Sequence, residues 1–144
     1  MATFTFFHEF KKYLADGTID LDTHVFKIYL SNDAPVVGTD TVKADVTEIT
    51  SAGGYASKTV TCTWTETGAG TGVWRFATSS GDQTWTASGA AFDAFRYVVL
   101  FDDTPTSPAD PLVGYWDTGG TQNIADGSSF TLDLDANGAF FTLS

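Results

Sequence analysis

Thiol chemistry in this 144-residue chain is confined to Cys62, so no internal disulfide can form. Histidine is almost as scarce: His8 and His24 stand 16 positions apart, with no Cys or His cluster spaced to bind zinc. Basic residues number 7 against 18 carboxylates, a formal charge of -11, so a phosphate backbone or an anionic membrane surface would repel the protein. Neither nucleic acid nor membrane is expected as a partner. No run of about 18 apolar residues exists, which excludes a transmembrane helix. Lys11 and Lys12 follow the first aromatics instead of preceding an apolar core, so no secretion signal is expected and the lone cysteine fits synthesis in a reducing cytoplasm.

Aromatic residues are abundant. With 12 Phe, 5 Tyr and 4 Trp the chain can build a substantial core, each fully buried Phe contributing about 1.5–3 kcal/mol. The most apolar stretch, Ala94–Phe101, is expected to be the central strand of one β domain. Strict alternation would point Phe95, Tyr97, Val99 and Phe101 one way and Val98 and Leu100 the other. A strand apolar on both faces needs cover on both, from a second sheet and a flanking helix or from a partner subunit.

Residues 4–15 show the one helical pattern, with Phe6, Phe10, Tyr13 and Leu14 at three- to four-residue spacing, Thr3 or Thr5 as a cap and Gly17 past the end. Lys11 and Lys12 in its last turn complement the helix dipole, and His8 reads as a surface or packing residue. From Thr23 to Leu30 the period becomes two, with His24, Phe26, Ile28 and Leu30 on one face; His24 has no partner at ligand spacing. Ser31–Pro35 breaks that strand, and Thr39–Ile49 is expected to be a loop or weak edge strand carrying Val42, Val46 and Ile49.

The cleanest alternation sets Val60, Cys62 and Trp64 against Thr59, Thr61, Thr63 and Thr65, so Cys62 reads as a small buried residue and the threonines as a solvated sheet face. Threonine ladders also occur on ice-binding and sugar-binding surfaces, which need a matching row on a neighbouring strand. Thr84 and Thr86 hint at one. The glycine-rich run 67–72 lacks the Lys-Ser or Lys-Thr of a phosphate loop and reads as a hairpin connection. Short strands follow at Val73–Thr78 and Gln83–Ala87, with Trp74 and Trp85 at inward candidate positions.

After Phe101, Pro105, Pro108 and Pro111 hold a stiff loop whose three Asp residues have no fixed geometry for a cation. Leu112–Trp116 returns antiparallel to the central strand, and Phe130, Leu132 and Leu134 alternate with polar residues before the Ala136-Asn137-Gly138 turn. Asp133–Gly138 matches the opening of an EF-hand loop, but Ser144 stands where the bidentate carboxylate belongs, so an Asn-Gly hairpin leading into Ala139, Phe141 and Leu143 is preferred.

The expected fold is mainly β, an antiparallel sandwich of jelly-roll-like or immunoglobulin-like type with one short N-terminal α-helix. It forms one domain over residues 1–144, with the helix in 1–17 and the sandwich in 18–144. No catalytic set, cofactor site or metal site is expected, because no nucleophile or acid–base pair has a partner at workable spacing.

Three segments resemble small structural proteins of tailed bacteriophages. They are Phe95–Pro105 with its continuation Asp110–Asp117 and Ala125–Gly127, the opening Phe4–Tyr13, and Leu21–Pro35. The resemblance implies a β-rich virion accessory protein present in many copies. Its first form is a capsid decoration protein made in the host cytoplasm, bound to the major capsid protein on the head's outer surface and assembled as a homotrimer. Its alternative is a tail or fibre component that binds a host glycan through Trp and Tyr beside Asp and Thr. Phe4, Phe6, Phe7, Phe10 and Tyr13 place aromatics on more than one side of the N-terminal segment, so these five are the candidates for contact with another chain.

Overall fold

The computed structural model describes residues 2–144. In chain order its elements are β1 (Thr3–Phe6), α1 (His8–Ala15), β2 (Phe26–Ser31), β3 (Lys58–Val60), β4 (Cys62–Glu66) and β5 (Trp74–Thr78). There follow β6 (Gln83–Thr86), β7 (Phe95–Asp102), β8 (Leu112–Gln122), β9 (Ser129–Leu132) and β10 (Ala139–Leu143). The strands form an antiparallel five-stranded sheet in the order β1-β8-β7-β2-β3, a three-stranded sheet β10-β5-β4 and a two-stranded sheet β6-β9.

The expected mainly-β sandwich with one helix is what the chain forms, and the expected central strand, β7, lies mid-sheet between β8 and β2. The two smaller sheets make a second layer over one side of the large sheet. Phe26 meets Phe76 at 4.8 Å, Phe95 meets Phe130 at 4.9 Å, and Trp116 meets Phe140 at 5.3 Å between ring centroids. The run of residues 58–66 passes between layers at Thr61, since β3 pairs with β2 and β4 with β5. Helix α1 lays Phe10 and Tyr13 into the same core.

The other side of the five-stranded sheet is also closed. Phe7, Tyr29, Val46, Val99, Phe101 and Leu112 form a second buried cluster there. Its cover is the connection between β2 and β3, whose backbone is tied down by Leu112 N–H to Thr41 O (3.0 Å) and Lys43 N–H to Asp110 O (2.9 Å). The Tyr29 hydroxyl donates to Val46 O at 2.9 Å. Lys43 lies over the rings of Tyr29 and Phe101 and pairs with Glu48 at 2.7 Å, and Glu48 accepts the Tyr55 hydroxyl at 2.8 Å.

Four expectations are corrected. Residues 3–6 are an edge strand, with Phe4 opposite Trp116 and Phe6 opposite Gly114, and the helix begins only at His8 after an extended Phe7 without a side-chain cap. Thr-Phe-Thr-Phe is itself a period-two pattern, and the spacing of Phe6, Phe10 and Tyr13 masked it. A register shift between Phe95 and Tyr97 turns Phe95 to the inner core with Val98 and Leu100, leaving Tyr97, Val99 and Phe101 on the loop-covered side. The Asn137-Gly138 turn does not close a hairpin: β9 pairs with β6 and β10 with β5, so residues 133–138 cross between sheets. Finally, Trp74 shares the inward side of β5 with Phe76 but is not buried: it lies at the turn end of the β4–β5 hairpin, 41% exposed.

Candidate docking face

Facing away from the core, the second layer presents hydroxyls. In the three-stranded sheet, register places Thr63 beside Ala77, and Thr65 and Thr142 on either side of Arg75, all opposite in direction to the buried Phe76 and Phe141. In the two-stranded sheet Thr84 stands opposite Thr131 and Thr86 opposite Ser129, while Trp85 and Leu132 turn inward. The hydroxyls of Thr84 and Thr131 are 2.8 Å apart and those of Thr86 and Ser129 2.7 Å, so the second threonine row hinted at by Thr84 and Thr86 exists and is completed by β9.

No outward strand position of this layer is a carboxylate, although the chain carries 18. Asp82 and Asp133 lie just beyond the strand ends, Asp82 accepting the Leu134 N–H at 2.8 Å. Hydroxyls that already pair with each other cost far less to desolvate than charged groups, and a face without anions can approach another acidic surface without repulsion. Arg75 is the one charged side chain on these outward positions. Its Nε is shielded from water and has no hydrogen-bond partner, and its guanidinium joins none of the ion pairs among the described residues.

The five N-terminal aromatics lie elsewhere. Phe7, Phe10 and Tyr13 are buried in the chain's own core, while Phe4 and Phe6 are half-buried, stacking or edge-packing against Phe141 with Phe4 also 4.7 Å from Trp116. The exposed side of α1 is His8, Lys11, Lys12 and Ala15, so its aromatic area is engaged within the chain.

His24, expected to stand alone, does not. Its Nδ1 is 2.6 Å from Oδ2 of Asp102, 78 positions away and fully buried, and the other Asp102 oxygen accepts the Thr104 N–H at 3.0 Å. Burial raises the Asp102 pKa above the ordinary carboxylate value, an effect that the imidazole and the Thr104 N–H oppose. No Ser, Thr or Cys side chain hydrogen-bonds to the imidazole among the described residues, and the pair ties the turn before β2 to the end of β7.

Trp64 and Trp74 form a stacked pair, centroids 5.6 Å apart and planes 23° apart, whereas Trp85 and Trp116 are buried. Trp64 borders an open groove with Leu14, Gly17, Ile19, Asp20, Leu21 and Asp22. Cys62 behaves as the small apolar residue expected, half-buried with its thiol pushed up to about 12 by burial. The Asp residues after β7 are dispersed, Asp102 to His24 and Asp103 to Lys27. In the EF-hand-like turn the Asp135 carboxylate accepts the N–H groups of Asn137 and Ala139. Among the described residues, no group of three or more His, Cys, Asp or Glu side chains is placed to hold a metal, and no helix is long and apolar enough to cross a membrane.

Sequence reasoning missed Arg75, Ser129 and Thr131. The signal was present, since Trp74-Arg75-Phe76 and Ser129-Phe130-Thr131-Leu132 alternate in the same sense as the threonine ladder. No family model, no curated protein and no solved structure matches the chain.

Proposed function

We propose that this chain is a non-catalytic structural protein of a tailed-phage virion, a capsid decoration protein that docks as a trimer on the outer face of the head and stabilises it. The observation that carries the reading is the hydroxyl face of the second layer: on a chain of net charge -11, its outward strand positions hold no carboxylate. An acidic protein that must meet many neighbours needs such a region, because like charges brought together across an interface cost several kcal/mol. The core of the domain is closed on both sides of the large sheet by its own chain, so the fold presents a rigid body whose contacts are made through its surface. The resemblance of residues 95–105 and 110–117 to phage structural proteins supports the virion as the setting. The purified chain, added to heads lacking it, is expected to co-sediment in many copies per head and to raise their resistance to heat. Failure to bind heads, or a few copies restricted to tails, would contradict the assignment.

The stacked Trp64–Trp74 pair favours a second reading, a tail or fibre component that binds a host glycan. The exposed Trp74 indole stacks on Trp64, which borders the groove holding Asp22, and such a pair suits a pyranose ring, whose C–H face stacks and whose hydroxyls donate. Under that reading Trp74→Ala abolishes adsorption to host-surface polysaccharide and leaves head binding undetectable in both forms.

A further inference from the structure

We infer that the β10-β5-β4 part of the hydroxyl face is the contact between copies of this chain and that Arg75 is its anchor, taking a carboxylate from a different surface of the next copy. The inference rests on the virion-structural reading and deepens it by naming the partner. Arg75 lies on β5, the middle strand of its sheet, flanked in register by the exposed Thr65 and Thr142. A planar guanidinium between two hydroxyls is suited to bidentate recognition of a carboxylate. Among the described residues Arg75 joins no ion pair, whereas Arg96 engages Asp117 through two bonds of 2.8 and 2.9 Å. The Nε is covered by the chain itself, so an acceptor from outside meets the far end of the guanidinium, which belongs to a half-exposed side chain on a face without carboxylates.

The acceptor is a second copy for reasons of charge and symmetry. Among the described residues Lys and Arg pair with Glu9, Asp103, Glu48 and Asp117, and Asp102 meets His24, so most of the 18 carboxylates have no such partner there. A neighbouring copy is therefore rich in the group Arg75 lacks. A two-fold contact pairing the face with itself about β5 would bring two guanidiniums together. The contact is accordingly heterologous, face against a different acidic surface, and a heterologous contact that closes gives a cyclic ring such as a trimer. Each subunit then offers one Arg75 and receives one.

Native mass spectrometry and sedimentation velocity of the full chain test this across a concentration series. The wild type is expected to form a closed ring. Arg75→Ala is expected to weaken association roughly thirty-fold, the loss of a central interface arginine, and Arg75→Glu to leave monomers. Urea midpoints of both variants should stay near the wild-type value, because the Arg75 side chain joins no ion pair among the described residues and its Nε has no hydrogen-bond partner. A wild type that remains monomeric, or an Arg75→Glu variant that assembles normally, would overturn the inference. The two readings fail separately. Wild-type monomers that still coat heads would overturn the subunit contact and the trimer while upholding the decoration role. An Arg75-dependent ring that ignores heads would uphold the contact and overturn the decoration role.

Discussion

In the five-stranded sheet both surfaces are closed, with Val98 and Leu100 turned to the inner core and Val99 and Phe101 to the cluster beneath the β2–β3 connection. In the layer opposite it, Phe76, Trp85 and Leu132 are buried while their neighbours Arg75, Thr84, Thr86 and Thr131 face outward. The first sheet is held by apolar burial on two sides and offers little of its central surface to a partner. The second is held on one side and offers the other. Stability and association are thus assigned to different layers, and substitutions should separate them.

The largest effect is expected inside the large sheet. Phe26, fully buried against Phe76, should cost about 3–5 kcal/mol as Phe26→Ala, read from the urea midpoint. A loss below about 1 kcal/mol would mean that the interlayer core is loosely packed.

Next is the His24–Asp102 contact. His24→Ala strands the Asp102 carboxylate, with an expected loss of about 2–3 kcal/mol at neutral pH. The sign with pH follows from burial. The folded-state pKa of Asp102 already lies above its unfolded value, and removing the imidazole that opposes this raises it further. The penalty for burying the charge is therefore full above the folded pKa and disappears as pH falls through it toward the unfolded value. Denaturation of wild type and variant from pH 7 to pH 4 should show the gap closing; a gap that widens on acidification would sink the account.

Gly114 comes third. A Cβ there would collide with the Phe4 ring and come within 2.7 Å of Thr5 O, so Gly114→Ala should push β1 off β8 at a cost of about 1–3 kcal/mol. Faster amide exchange confined to β1 and its partners on β8 would identify the cause.

The smallest effect belongs to the open face. Thr84→Ala with Thr131→Ala removes an exposed hydroxyl pair and should shift stability by no more than about 1 kcal/mol. A larger loss would mean that the threonine rows are there for the fold and not for a partner.

Much of this division was legible in the sequence. The run Ala94–Phe101, apolar on both sides, announced a doubly covered strand, and the Thr59–Thr65 ladder announced a face left open. What escaped depends on long-range geometry. Period two cannot foresee the register shift at Arg96 that turns Phe95 inward, and nothing near His24 in sequence points to Asp102. The aromatics at Phe4, Phe6 and Phe10 satisfy helical and strand spacing alike, and only pairing with β8 decides for the strand at Phe4 and Phe6. The hydroxyl face was half visible because its second row is assembled from β6 and β9, strands separated by the whole β7–β8 hairpin. Arg75 could be placed beside the threonines by alternation, but its lack of a partner is a property of the folded chain.

The most direct test of the central claim is to put charge on the open face without touching the core. Thr84→Asp with Thr131→Asp adds two carboxylates at a cross-strand pair whose side chains are exposed. Co-sedimentation of this variant with heads lacking the protein, beside the wild type and with folding verified by urea denaturation, is the measurement. The wild type should bind and the folded variant should not. A folded double variant that coats heads as well as the wild type would contradict the claim that this protein works through its hydroxyl face.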